Sequence, residues 1–203
     1  RNKGFLKYND GVSQTNLRKS EVLGCLLAYP PSKEQQKIAA ILSTVDEQIS
    51  TTDKIIEKSK ELKKGLMQKL FSEGIGHTEF KDTKIGRIPK DWRETKLKEL
   101  VKINQGLQIA ISKRLTKKEE GAYFYITNEF LRKNSKYTYY VKDPNPSVVC
   151  NKDDILMTRT GNTGQVVIGV TGVFHNNFFK IKYSTNLTNK DYLYYFLTLR
   201  KTI

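Results

Sequence analysis

SKEQQKIAAILSTVDEQISTTDKIIEKSKELKKGLMQKLFS, residues 32–72, reads as one uninterrupted helix. Ser32 follows Pro30-Pro31 and has Gln35 three places on, the pattern of a capping box that satisfies two orphan backbone N–H groups. Ile38, Ile41, Leu42, Val45, Ile49, Ile55, Ile56, Leu62, Leu66 and Leu70 recur at steps of three and four, which gathers them on one stripe. No proline interrupts the run, its only glycine is Gly65, and Gly74 supplies a stop. At 1.5 Å per residue such a helix is about 60 Å long, more than a small domain needs. An apolar edge of that length requires another long helix beside it. The stripe is wide: Ile38, Leu42, Val45, Ile49, Thr52 and Ile56 form one seam, and Ile41, Val45, Ile55, Leu62 and Leu66 an adjoining one. That width suits more than one neighbour, and Gln48, Thr51, Thr52 and Ser59 weaken its middle in a way that can fix register.

Outward from the helix, charge is uneven. Residues 32–72 hold 8 basic and 6 acidic side chains, nearly balanced, as a solvated helix surface should be. Residues 73–203 hold 23 basic and 13 acidic, and so carry +10 of the chain's net +15. An excess of that size favours a polyanion, nucleic acid or an anionic membrane surface. No apolar run has membrane-spanning length and no secretory leader is visible, so no membrane partner is expected. Cys25 and Cys150 lack metal-type spacing and read as free thiols in a reducing compartment, which points to a cytoplasmic protein.

Before the helix, residues 1–31 are too short to form a domain. Gly4-Phe5-Leu6 and Val22 to Tyr29 read as strands around a loop at Gly11 to Leu17, and Leu23, Leu26, Leu27 and Tyr29 need a partner domain to bury them. After the helix, the glycines and proline of residues 74–92 read as a linker, with Trp92 anchoring the start of the next domain. Residues 93–203 alternate short strands and turns. Thr95 to Val101 is a short helix or strand; Tyr123 to Ile126, Tyr137 to Val141, Val166 to Val170, Val173-Phe174 and Phe178 to Ile181 are strands; Asp191 to Leu199 is a closing helix. The fold class expected is therefore α+β, a domain of short strands with peripheral helices plus one long coiled-coil-forming helix.

No catalytic or metal constellation stands out, and no cofactor is expected. His77 and His175 have no ligand-like neighbours and read as surface or packing residues. Gly161-x-x-Gly164 lacks the Lys-Ser/Thr of a phosphate-binding loop and reads as a tight turn. Asp143-Pro144-Asn145-Pro146 resembles in letters the Asn/Asp-Pro-Pro-aromatic motif of amino-methyltransferases, but lacks the second consecutive proline and the aromatic, and reads as a turn. What remains is a basic surface interleaved with aromatics. Lys113, Arg114, Lys117, Lys118, Arg132, Lys133, Lys136 and Arg159, with Lys180 and Lys182, lie among Tyr123, Tyr125, Tyr137, Tyr139 and Tyr140, with Asn128, Asn134 and Asn162 nearby. Arg and Lys pair with phosphates or guanine edges, and Asn pairs with adenine, so these are candidate DNA contacts, most of them to phosphate.

Several segments together resemble one family. Pro30-Pro31-x-x-Glu34-Gln35-x-x-Ile38-Ala39 is similar to the conserved region of type I restriction–modification specificity subunits. So are Asp154-Ile155-Leu156-x-Thr158-Arg159-x-Gly161-x-x-Gly164 and the Asn177 to Ile181 strand after it. Ile88-Pro89-x-x-Trp92 resembles the family's approach to a target-recognition domain, and Gly11-x-x-Gln14-x-Asn16-Leu17 the segment before its proline pair. The resemblance implies a non-catalytic subunit whose target-recognition domains each read half of a split sequence in double-stranded DNA. It also implies long helices that pair antiparallel and dock methyltransferase subunits, through which restriction subunits join. A whole subunit would run domain, helix, domain, helix; this chain runs end of a domain, helix, front of a domain. It is therefore expected to be either an internal fragment or a circularly permuted half subunit in which residues 1–31 complete the 93–203 domain. With one long helix per chain, a symmetric dimer with two antiparallel helices follows. The alternative is a coiled-coil adaptor whose basic domain binds a protein or RNA. A stand-alone methyltransferase or nuclease lacks the cofactor and metal motifs.

Overall fold

The computed structural model describes residues 19–132 and 138–202. The chain divides into two compact units, Arg1–Lys58 and Ser59–Ile203. Gly4-Phe5-Leu6, the loop at Gly11 to Leu17, and Lys133, Asn134, Lys136 and Tyr137 lie outside the described residues.

In the first unit the expected strand from Val22 to Tyr29 is absent. A short helix, α1 (Lys19–Leu23), occupies its start, with the Gly24 amide donating to Ser20 O at 2.9 Å. Leu26 and Leu27 are 98% and 76% exposed. An extended segment needs a neighbouring strand for its backbone groups, and no described strand lies beside this one, so the local helical hydrogen bonds win. The long helix, α2, runs Ser32–Glu73 without a break. Its start departs in detail from the capping box: Gln35 Nε2 donates to Pro30 O at 2.7 Å, and the Glu34 and Gln35 amides donate to Pro31 O at 2.9 and 3.0 Å. The proline pair, stiff and unable to donate, thus offers its carbonyls to the first turn. At the other end the Gly74 amide donates to Leu70 O at 3.2 Å and Gly74 adopts φ 67°. A Cβ there would lie 2.7 Å from both the His77 and Trp92 rings, so only glycine permits this stop.

The second unit begins with an ordered element where a linker is expected. Strands β1 (Phe80–Thr83) and β2 (Gly86–Pro89) pair antiparallel through the two-residue loop Lys84-Ile85. Thr83 Oγ1 donates to Gly86 O at 2.6 Å across the turn, and the Arg87 guanidinium lies 4.9 Å from the Phe80 ring. Gly86, at φ 107°, opens β2 opposite Thr83, so a residue that reads as a break lies inside the pairing.

Then come a one-turn helix, α3 (Leu97–Leu100), and eight short strands in two four-stranded sheets. The first sheet has the order β3 (Val101–Gln105), β10 (Phe178–Tyr183), β7 (Ile155–Thr158), β8 (Val166–Val167), all antiparallel. The second has the order β5 (Tyr140–Val141), β4 (Tyr123–Ile126), β9 (Gly172–Phe174), β6 (Val149–Cys150); its β4–β9 pair is parallel. Helix α4 (Lys190–Thr202) closes the chain. One core gathers Tyr125, Ile126, Leu156, Val173, Phe174 and Phe178; the other gathers Val101, Ile155, Ile181, Leu193 and Leu197, with α4 covering the first sheet. The architecture is α+β, as expected. One strand is shorter than its composition suggests: β8 ends at Val167, and both its residues are half-buried. It is an edge strand, and Gly169 at φ 75° turns the chain away before Val170. Among the described residues no helix is long and apolar enough to cross a membrane.

Candidate nucleic-acid interface

The sheet pairings decide where the loops go. Because β4 and β9 run parallel in the register Ile126↔Phe174, both leave their sheet in the same direction. Because β10 is antiparallel to β3 and β7, with Phe179 opposite both Gln105 and Met157, those two strands end where β10 begins. The loops after β3, β4, β7 and β9 therefore share one edge of the domain.

Hydrogen bonds tie these loops into a ring. The Leu107 amide donates to Phe174 O at 3.2 Å, and the His175 amide to Ile126 O at 2.9 Å. Asn176 Nδ2 donates to Gln108 Oε1 at 3.2 Å, and the Arg159 amide to Asn177 O at 2.7 Å. Asn128 Nδ2 donates to Thr160 O, also at 3.2 Å. The turn after β7 is organised by buried Thr158: its hydroxyl donates to Asn162 O and accepts from the Gln165 amide at 2.8 Å. Asn162 Nδ2 donates to Gln165 Oε1 at 2.5 Å. Gly161 packs so close to Asn128 that a Cβ would stand 2.5 Å from Nδ2, which keeps the two loops together. The Arg159 side chain is left exposed at the head of this turn.

The candidate contacts fall into three groups. Arg159, Asn128 and Asn162 come together on the loop edge, with Arg132 at the end of the 3-10 turn Asn128–Leu131, paired to Glu129 at 2.8 Å. Lys113, Lys117, Lys118 and Tyr123 are exposed, on the 3-10 turn Ile111–Lys113, the loop after it and β4. Lys133, Lys136 and Tyr137 lie outside the described residues.

Three residues read as surface from sequence prove structural. Tyr125 is 1% exposed; its hydroxyl donates to Leu107 O at 2.9 Å and accepts from the Ile109 amide at 3.0 Å. It pins the loop after β3, because a buried phenol must find partners and the bent backbone there offers them. Arg114 spends its guanidinium on Ile109 O, from Nε at 3.0 Å and Nη2 at 2.8 Å, while lying over the Tyr125 and Tyr139 rings. Lys180 is 7% exposed; its ammonium donates to Val149 O at 2.6 Å and lies 3.6 Å from Asp154. Strand alternation turns it inward, where it bridges the two sheets. Lys182, two places on, is exposed.

Sequence reasoning passed over Gln108 and Asn176, and read His175 as a surface or packing residue. The usable signal was position: Gln108 lies three residues after β3, and His175 and Asn176 one and two after β9. The His175 imidazole accepts from the Asn177 amide at Nδ1, 3.0 Å, and packs 5.7 Å from the Tyr125 ring. Burial, and then the Arg114 charge, hold its pKa below the ordinary histidine value, so it is neutral at pH 7. Burial likewise pushes the Cys150 thiol up to about 11, with Asp154 adding to the shift, so this cysteine is inert.

A second surface belongs to α2. Its ten stripe residues, Ile38 to Leu70, are all 44% or more exposed. Within Ser59–Ile203, the stripe's last turns gain a partial wall. Phe71 meets the Tyr192 ring at 5.0 Å and the Phe196 ring at 5.9 Å. Leu62, Leu66 and Leu70 line an open apolar groove of about 740 Å³ together with Trp92, Tyr192 and Tyr195.

Comparison with known proteins agrees with this layout. The family model described as the type I restriction modification DNA specificity domain matches residues 2–61 and 89–203. The type I restriction enzyme MjaVIII specificity subunit of Methanocaldococcus jannaschii is 31% identical over 84% of this chain and 43% of its own length. The putative type I restriction enzyme MjaX specificity subunit of the same organism is 32% identical over 94% of this chain and 49% of its own length. Among solved structures, the type I restriction–modification S subunit from M. genitalium superposes with a TM-score of 0.56 at 18% identity, over 97% of this chain and 50% of that one. The chain spans about half the length of the curated relatives it matches.

Proposed function

This chain belongs to the type I restriction modification DNA specificity family, and from that membership we propose that it is a non-catalytic, sequence-reading subunit that recognises half of a bipartite DNA target. The loop edge bearing Arg159, Asn128, Asn162 and Arg132 faces the DNA, with Lys113, Lys117, Lys118 and Tyr123 as flanking contacts, mostly to phosphate. Residues 1–31 complete the domain formed by 93–203. The long helix α2 spaces the half-sites and docks methyltransferase subunits, through which restriction subunits join.

The observation that carries this reading is the largely exposed stripe of α2. Ten apolar side chains on one face, each 44% or more exposed, are costly to leave in water. A second copy of this chain supplies a helix to lie against it. Two chains related by a two-fold axis set their α2 helices antiparallel and hold two identical readers a fixed distance apart. Such a dimer reads a palindromic split sequence. Light scattering at micromolar concentration tests the assembly: a mass of two chains is expected, and a clean single-chain mass defeats it. Methylome sequencing of cells with and without the intact locus tests the function. It should reveal a split motif whose two halves are inverted copies. Binding to duplex is expected to weaken steeply with salt, and Arg159→Ala to lower affinity; whether sequence preference falls with it tells a base contact from a phosphate contact. An adaptor of another kind would bind duplex without selectivity even with methyltransferase subunits present.

A further inference from the structure

We propose that Gln108, Asn128 and Asn176 are specificity-determining residues of this chain, and that the amide oxygens of the two asparagines accept from the exocyclic amino group of an adenine or cytosine. The inference rests on the DNA-reading function proposed above.

Among the described residues, two buried side-chain polar atoms lack a hydrogen-bond partner: Asn128 Oδ1 and Asn176 Oδ1. Both stand on the loop edge. Buried carbonyl oxygens are nearly always satisfied, so two orphans at one edge point to a donor that arrives from outside. The orientation of Asn128 is fixed by its neighbour. Thr160 O can only accept, so Nδ2 must face it and Oδ1 is left over. Asn176 Nδ2 donates to the Gln108 amide, at Oε1. Each of these hydrogen bonds is long, 3.2 Å, and turning the side chain about Cα–Cβ gives it up and brings the amide oxygen to the surface.

The chemistry selects the ligand. In the major groove an amide oxygen finds a donor on adenine N6 or cytosine N4, while guanine and thymine present acceptors there. Gln108 is the switch for Asn176: once Asn176 turns to a base, the Gln108 amide is free to take the next position. Arg159 and Asn162, exposed on the adjoining turn, suit the phosphates or a guanine beside it. Asn128 and Asn176 follow β4 and β9, the parallel pair, so they project from neighbouring strands. The two amides thus address nearby positions within one half-site.

The test is selection from a pool of random-sequence duplexes, with the full chain alone and with methyltransferase subunits of the same system, followed by sequencing of the bound fraction. Wild type should enrich a split motif with an adenine or cytosine in each half. Asn128→Ala and Asn176→Ala should each lower discrimination at one such position about ten- to a hundredfold and leave the other positions intact. Each variant also loses one long hydrogen bond, to Thr160 O or to Gln108 Oε1, so its thermal midpoint should fall by no more than a few degrees. Asn176→Asp preserves shape and acceptor without the donor, and should move the preference toward cytosine; it also covers the case in which the alanine variant disturbs the loop. Variants that select the wild-type motif overturn the inference alone. A wild type that enriches no sequence under either condition overturns the underlying function, and this inference with it.

Discussion

Ile49 on α2 is 55% exposed, and Ile181 on β10 is 1% exposed. The two residues have the same side chain, and each lies in regular structure with its backbone hydrogen bonds made. The difference is the number of surfaces each element needs. Strand β10 has β3 on one side, β7 on the other and α4 across its face, all from this chain. Helix α2 runs for 42 residues, and its ten stripe side chains are all 44% or more exposed among the described residues. The strand is covered within its own unit, whereas the helix carries the stripe for which a pairing surface is proposed.

Charging the stripe should separate the two regions most sharply. Leu42→Asp with Ile49→Asp removes two apolar anchors, worth about 3–6 kcal/mol of association if both are buried in the dimer. The mass by light scattering should drop from two chains to one, and the melting of the sheet region should hold. A double variant that still measures as two chains would place the contact on another surface. Phe178→Ala makes the converse cut. Phe178 is fully buried where β10 enters the core, and its loss should cost about 3–5 kcal/mol of stability in denaturant titration. The same truncation at Ile49 should cost the lone chain almost nothing.

Smaller still, and more local, is Lys180→Met. The substitution keeps the buried stem and removes an ammonium that donates to Val149 O at 2.6 Å and lies 3.6 Å from Asp154. A loss of about 1–3 kcal/mol is expected from denaturation. Lys117→Ala, on an exposed lysine, should leave stability unchanged and instead reduce the salt slope of duplex binding by about one. If Lys180→Met altered binding and not stability, the lysine would belong to the interface after all.

These regions also differ in how far the sequence alone discloses them. Helix α2 was legible almost residue by residue, since steps of three and four, a proline pair and Gly74 are local signals that tertiary packing did not need to override. Strand and turn positions from Tyr123 to Ile126 and from Phe178 onward were legible for the same reason. Failures came where a neighbour decides the outcome. Leu26 and Leu27 look like strand residues but find no described strand beside them. Gly86 looks like a break but pairs with Thr83 inside a hairpin. Tyr125 and Lys180 alternate inward, and alternation fixes a face only once the register is known. The loop edge was legible in part: Asn128, Arg159 and Asn162 stood out by type, whereas Gln108 and Asn176 gain meaning only from the pairing that brings the ends of β3 and β9 together.

The comparison can be sharpened by pH, because α2 contains no histidine while the loop edge contains His175. Burial and the nearby Arg114 hold His175 below its ordinary value of 6.5 in the folded chain. In the unfolded chain it titrates near that value, so between the folded pKa and 6.5 the unfolded state binds more protons. Stability should therefore fall as pH drops through 6.5 and level off once pH passes below the folded pKa. Protonation also turns Nδ1 from an acceptor into a donor, which breaks the hydrogen bond from the Asn177 amide and loosens the loop that carries Asn176. His175→Gln should flatten this dependence. Carboxylates titrate alike in both proteins, so the difference between their thermal midpoints from pH 7.5 to 5.5 isolates the imidazole. Over the same range the mass by light scattering should stay constant, because the stripe proposed to join two copies carries no group that titrates there. A mass that fell along with the midpoint would mean that the sheet region contributes to the assembly, and the stripe would not be its whole interface.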